Sequence, residues 1–297
     1  MDIGIVGLGL IGGSLGLSLR STFSDSNGCK YLASLAECSS SSHRVLGVSR
    51  REEVCRTATA LGATDEASTE LSLLSSADIV FICTPLAVIA SIVEQLVQYL
   101  SADAIITDVG SVKQPVVAAV SPLWQNFVGG HPMAGTADSG IDAAQLGLFV
   151  NRPYVLTPNA TTPARAVAWV SAIVNLLGAK LYQCSPEEHD RAVAWISHLP
   201  VFASASLIAA CLGESDPYIL DLAKSFASSG FRDTSRVGGG NPELGLMMAM
   251  YNQPALLRSL YAYRAQCDRL IDALEKHEWT TIATILHQTQ QARPEFL

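Results

Sequence analysis

One histidine sits in an unusual frame, Gly129-Gly130-His131-Pro132-Met133-Ala134-Gly135-Thr136, near the middle of this 297-residue chain. An imidazole changes charge near neutral pH. A ring whose backbone is restrained by Pro132, and whose flanking glycines admit a ligand, therefore suits general acid/base work. A histidine in a surface turn would give the same pattern, so both readings stand on these residues alone. Ser111, in Asp108-Val109-Gly110-Ser111-Val112-Lys113, is either a hydroxyl that holds the imidazole or a cap for the helix after it. His198 precedes Pro200 and is either a substrate contact or a core histidine. Arg232 and Arg236 are rare cations in a charge-poor half of the chain, and one of them would suit bidentate binding of a carboxylate.

A second set of residues points to a nucleotide. Asp2 to Val6 reads as a buried strand that runs into Gly7-Leu8-Gly9-Leu10-Ile11-Gly12, with a helix from Ser14 to Arg20 after it. This is G-x-G-x-x-G in strand–turn–helix context. Gly7 makes the turn, Gly9 lets a pyrophosphate approach, Gly12 lets helix and strand pack, and Leu10 and Ile11, inside the motif, are expected to be cofactor contacts with them. The second strand, Arg44 to Val48, ends in Ser49-Arg50-Arg51. An NAD enzyme places a carboxylate there for the ribose hydroxyls. A hydroxyl and two guanidinium groups suit the 2′-phosphate of NADP instead.

The elements that must carry these groups alternate as in a doubly wound, mainly parallel sheet. Ala77 to Cys83 is a continuous apolar run ending in Thr84-Pro85, a strand buried on both faces. Helix Leu86 to Leu100 and strand Ala104 to Thr107 follow, and a short strand at Phe127 and Val128 delivers His131 to the same carboxyl edge. Ligands sit at that edge, which places Cys83, Thr84 and Pro85 beside the cofactor. Strands near 154–156 and 180–183 enclose a helix from Pro163 to Leu177. Ser185-Pro186-Glu187-Glu188 has the form of a capping box, and Pro200 should kink or interrupt the helix it opens. Residues 230–237 read as a loop, and Asn241-Pro242-Glu243 starts the next helix. Leu256, Leu260, Tyr263, Cys267, Leu270 and Leu274 keep helical spacing in a long amphipathic helix, and a last helix runs from Thr280 to Gln291. The serine-rich stretch 21–42 reads as an inserted surface loop.

Composition excludes several classes. The chain is 49% hydrophobic and 15% charged, hence globular rather than disordered. Its net charge of −8 leaves no basic stripe for nucleic acid. The apolar amino-terminal run lacks a positive region before it, and the run 199–212 is too short to span a bilayer, so no membrane role is expected. Seven cysteines lack metal-like spacing, which leaves no metal site and points to a reducing, cytoplasmic setting.

Taken together, GLGLIGGSLG, VSRR, ICTP, DVGSVK, GGHPMAGT, AWISHLP and GFRDTSRVGGGNPELG resemble the prephenate/arogenate dehydrogenases of tyrosine biosynthesis, most closely those of cyanobacteria that act on arogenate. The resemblance implies an N-terminal Rossmann domain over residues 1–184 and an all-α dimerisation domain over 185–297, assembled as a homodimer. It also implies oxidative decarboxylation of a cyclohexadienyl substrate with NADP. His131 would be the base, and Ser111 would orient it. Arg236 would bind the ring carboxylate, and His198, Gly135 and Thr136 would be substrate contacts. Two positions depart from the prephenate-type pattern: Val201 stands where a second histidine would follow Leu199-Pro200, and Ala137 where a glutamate often follows the His131 motif. Both fit arogenate rather than prephenate. The competing readings are prephenate dehydrogenase, another two-domain dehydrogenase with a catalytic lysine (Lys180 and Lys224 lack the setting), and a non-catalytic NADP sensor.

Overall fold

The computed structural model describes residues 1–23, 43–136 and 138–296. The serine-rich stretch from position 24 to 42, and Ala137, lie outside the described residues; Ser21 to Phe23 form the last turn of the first helix. The chain divides into two compact units, Met1–Ala192 and Val193–Leu297.

The first unit is built on strands β1 (Asp2–Val6), β2 (Arg44–Val48), β3 (Glu66–Ser68), β4 (Ile79–Ile82), β5 (Ile105–Asp108), β6 (Phe127–Pro132), β7 (Pro153–Thr157) and β8 (Lys180–Gln183). They form one eight-stranded sheet in the order β3-β2-β1-β4-β5-β6-β7-β8. Pairing is parallel from β3 through to β6, antiparallel between β6 and β7, and parallel again between β7 and β8. All four residues of β4, Ile-Val-Phe-Ile, are buried, which is why the sequence shows a continuous apolar run there instead of alternation. The helices of this unit are α1 (Leu10–Phe23), α2 (Glu52–Ala60), α3 (Ile89–Leu96), α4 (Gln114–Val120), α5 (Ala164–Leu176) and α6 (Pro186–Val193). Leu15 and Leu19 of α1 and Val170 and Ile173 of α5 join Ile3, Ile5, Phe81 and Val128 of the sheet in one apolar core.

Ser185 opens α6 with a reciprocal cap. The Glu188 amide donates to Ser185 Oγ (3.2 Å), and the Ser185 amide donates to Glu188 Oε2 (2.8 Å). That arrangement holds the Glu188 carboxyl below its usual range.

The second unit contains α7 (Leu199–Leu212), α8 (Pro217–Phe226), α9 (Ser229–Ser235), α10 (Pro242–Tyr251), α11 (Gln253–Glu275) and α12 (Trp279–Ala292). Asn241 caps α10, its Oδ1 accepting from the Glu243 amide at 2.9 Å.

Two sequence expectations are corrected here. Pro200 does not interrupt its helix. The chain widens into a π turn over Ala194–His198, closed by the Leu199 amide on the Ala194 carbonyl, and continues directly into α7. The wider turn accommodates a proline that brings no N–H and would crowd the carbonyl four residues back. As a result, 186–212 is a single helical run of 27 residues whose most apolar 18-residue window has mean hydropathy 1.6, longer than the 199–212 segment expected from sequence and long enough by length and composition to cross a bilayer.

The second correction is at 230–237, which is helical rather than a loop: α9, then a 3-10 turn over Arg236–Gly239. Gly, Asp, Thr and Ser are weak helix formers, but one tertiary bond and one local bond hold the segment. Ser204 Oγ of α7 donates to the Thr234 carbonyl at 2.6 Å, and Thr234 Oγ1 donates back to the Gly230 carbonyl at 2.8 Å.

Candidate active site

At the carboxyl edge of the sheet, where the strand order steps from β1 to β4, lies a cleft of about 730 Å³. Gly7, Gly9, Ser49, Arg50, Arg51, Cys83, Thr84 and Pro85 line it, as the sequence places them. Gly7 has φ +100°, and a Cβ there would stand 2.6 Å from the Cys83 carbonyl oxygen, so no other residue can make this turn. A Cβ on Gly9 would meet nothing within 4 Å. The backbone of Gly9 thus faces open space of the kind a pyrophosphate would fill, above the first turn of α1, where Leu10, Ile11 and Gly12 sit. The residues present fit a dinucleotide.

The Ser49 turn is fastened from below by Cys55, whose Sγ lies 3.6 Å from the Ser49 carbonyl oxygen and 3.3 Å from that of Ser68. Arg50 and Arg51 are exposed, and neither pairs with a carboxylate among the described residues. Among the described residues, no Asp or Glu lines the cleft. Thr69, Leu71, Ser91 and Gln95 also line it, and none of them carried a signal in the sequence.

His131 is not in a turn. β6 runs through it, pairing His131 with Val155 of β7, and the ring is 8% exposed. Of its flanking glycines, Gly130 serves packing rather than ligand entry, because a Cβ there would lie 2.7 Å from the Asp108 carbonyl oxygen. Gly135 and Thr136 are exposed beyond the end of β6. Behind the histidine, the wholly buried Lys113 ammonium donates to the Asp108 carboxylate and, at 2.7 Å, to the Gly130 carbonyl. Asp108 in turn accepts from the amides of Gly110 (2.8 Å) and Gly130 (3.1 Å). Burial pushes the Lys113 pKa down, and Asp108 beside it works against that shift.

His131 Nδ1 lies 2.8 Å from Nε2 of His189, a residue that sequence reasoning did not single out. His189 Nδ1 lies 2.7 Å from Asp190 Oδ1, and Asp190 accepts from the amides of Lys113 (2.7 Å) and Gln114 (2.8 Å). Ser111, expected to hold the imidazole, is half-buried in the segment between β5 and α4. The available signal for His189 was its pairing with Asp190 one turn into a helix whose cap was already read. Contact with His131 across 58 positions is visible only in the fold.

Two candidates belong to the second unit. His198 ends the π turn, is fully buried, and accepts at Nδ1 from Asn252 Nδ2 at 3.1 Å. Arg236 opens the 3-10 turn and is exposed, with no ion pair among the described residues, whereas Arg232 is bonded to Asp233 at 3.1 Å. Of the two arginines, Arg236 is the one available to an anion.

Residues 34–183 match the family model described as prephenate dehydrogenase, nucleotide-binding domain, and residues 185–288 match prephenate dehydrogenase, dimerization domain. The chain belongs to the prephenate dehydrogenase family.

It is thus a dehydrogenase for a cyclohexadienyl substrate of the prephenate or arogenate type, with a dinucleotide-binding unit and a helical unit of the family's dimerisation kind. The chain is 32% identical to prephenate dehydrogenase of Bacillus subtilis, over 92% of this chain and 70% of that one. The structure of Synechocystis arogenate dehydrogenase superposes with a TM-score of 0.87 at 49% identity, each chain covered in full. Prephenate dehydrogenase from A. aeolicus, solved with hydroxyphenyl propionate and NAD+, superposes with a TM-score of 0.88 at 26% identity, over 100% of this chain and 98% of that one.

Proposed function

We propose that this family member oxidatively decarboxylates arogenate to tyrosine with NADP. The observation that carries the cofactor choice is the Ser49-Arg50-Arg51 corner of a cleft with no carboxylate among the described residues of its lining. A 2′-phosphate meets a hydroxyl donor and two guanidinium groups there, and no carboxylate among the described lining residues repels it. Likeness to the Synechocystis arogenate dehydrogenase supports the substrate.

The bound dinucleotide would supply the hydride acceptor. His131 Nε2, the ring nitrogen not engaged with His189, accepts the proton of the C4 hydroxyl as hydride leaves C4. Loss of the ring carboxylate as CO2 then leaves an aromatic ring. In this reading Ser111 contacts the same hydroxyl, Arg236 binds the ring carboxylate, and His198, Gly135 and Thr136 contact the substrate. Val201, which carries no charge or hydrogen-bonding group, fits arogenate over prephenate. A homodimer is part of the proposal. The helical unit exposes Phe226, Leu246 and Met250, and little of the apolar 186–212 helix is covered (17% of its most apolar window), which suits a face closed by a second copy.

The test is reduction of NADP and of NAD by the purified protein with arogenate and, separately, with prephenate. Turnover with arogenate and NADP is expected. Turnover confined to prephenate, or to NAD, overturns the substrate or the cofactor assignment respectively.

A further inference from the structure

We infer that His189 and Asp190 are positioning residues that set the tautomer of His131 and take up part of the charge it acquires. The inference rests on the reading of His131 as the base. The chain of reasoning starts at Asp190. Its two oxygens accept from the backbone amides of Lys113 and Gln114, groups that can only donate. With its oxygens committed as acceptors, Asp190 takes a proton bond from His189, so His189 Nδ1 carries hydrogen. Neutral His189 then presents a lone pair at Nε2, and His131 donates to it from Nδ1. Only one tautomer of His131 remains, with the lone pair on Nε2, which is the form a base needs.

His189 and Asp190 are each 2% exposed, so water does not compete for these bonds. When His131 Nε2 takes up the hydroxyl proton, the Nδ1 proton can pass along the 2.8 Å bond to His189 Nε2. The positive charge then rests beside the Asp190 carboxylate. One proton enters, one moves, and no electrons are exchanged with the protein. The same logic of an acid orienting an imidazole operates in Ser-His-Asp triads, here with a second imidazole between.

Among the described residues, these titratable groups lie near the chain of bonds. From β5 and the segment before α4 come Asp108 and Lys113, bonded to each other. Beside Asp108 in turn lie Tyr154 of β7 and Cys83, which follows β4, both pushed up by burial and so protonated near neutral pH. On the α6 side, Cys184 is also raised by burial, and Glu188 is held down by its bonds to Ser185.

The experiment compares kcat, KM and their pH profiles for the wild type, His189→Leu and His189→Gln, with cofactor affinity measured beside them. Asp190 is left intact because it also anchors two amides. His189→Leu is expected to lower kcat at least ~10-fold with KM and cofactor affinity little changed. Its acid limb should move to lower pH, because the protonated His131 has lost its acceptor. His189→Gln, whose Oε1 can accept from His131 Nδ1, should recover part of kcat. Unchanged kcat and an unmoved acid limb in both variants, with a working wild type, overturn the inference alone. A wild type inactive on arogenate and prephenate, or a His131→Asn variant with full turnover, overturns the functional reading and this inference with it.

Discussion

In the proposed reading, the guanidinium groups at the Ser49 corner set the choice of cofactor. Arg50 and Arg51 are exposed and have no carboxylate partner among the described residues, so binding a 2′-phosphate does not require breaking an ion pair. Arg50→Ala is expected to weaken NADP about 10-fold or more, the usual cost of a charge-assisted bond, while changing NAD affinity little. Fluorescence titration with the two cofactors checks this, and equal losses for both would remove Arg50 from the 2′-phosphate. These residues were readable in advance because strand, turn and cofactor corner follow one another within a few positions. His189, in α6, was not, because its meaning comes from a partner in a distant strand.

At the level of elements, the decisive feature is how β5 and β6 are tied together just before His131. Lys113 bridges the Asp108 carboxylate, at the end of β5, to the Gly130 carbonyl in β6, all without water. Replacing it with an apolar residue leaves a buried carboxylate uncompensated. Lys113→Met should therefore cost about 3–5 kcal/mol of unfolding free energy, and Asp108→Asn added to it should return a large part. Urea denaturation of the two variants checks the prediction; additive losses would mean that the pair is not coupled. The helical elements show the converse, with tertiary contacts changing what local sequence suggests. Pro200 is absorbed by a π turn, and 230–237 becomes helix because Ser204 clamps Thr234.

For the whole molecule, the helical unit carries exposed apolar side chains. Leu246 and Met250, 61% and 66% exposed and one turn apart on α10, present a single apolar face. Light scattering is expected to give the mass of a dimer. Leu246→Asp combined with Met250→Asp should shift it toward the monomer, since burying two carboxylates in an apolar interface is strongly unfavourable. A dimer that survives the double change would exclude this face of α10 as the contact.

By itself the sequence determined the alternating strands and helices of the first unit, the glycine turn, the Ser49 corner, the capping box at Ser185 and the family, because each rests on residues close together in the chain or on a period of side-chain burial. Only the tertiary structure decided that His131 lies inside a strand, that Gly130 serves packing, that His189 and Asp190 stand behind His131, and that Arg236 rather than Arg232 is available to an anion. Those outcomes depend on which distant segment supplies the hydrogen-bond partner, and local pattern holds no record of that pairing.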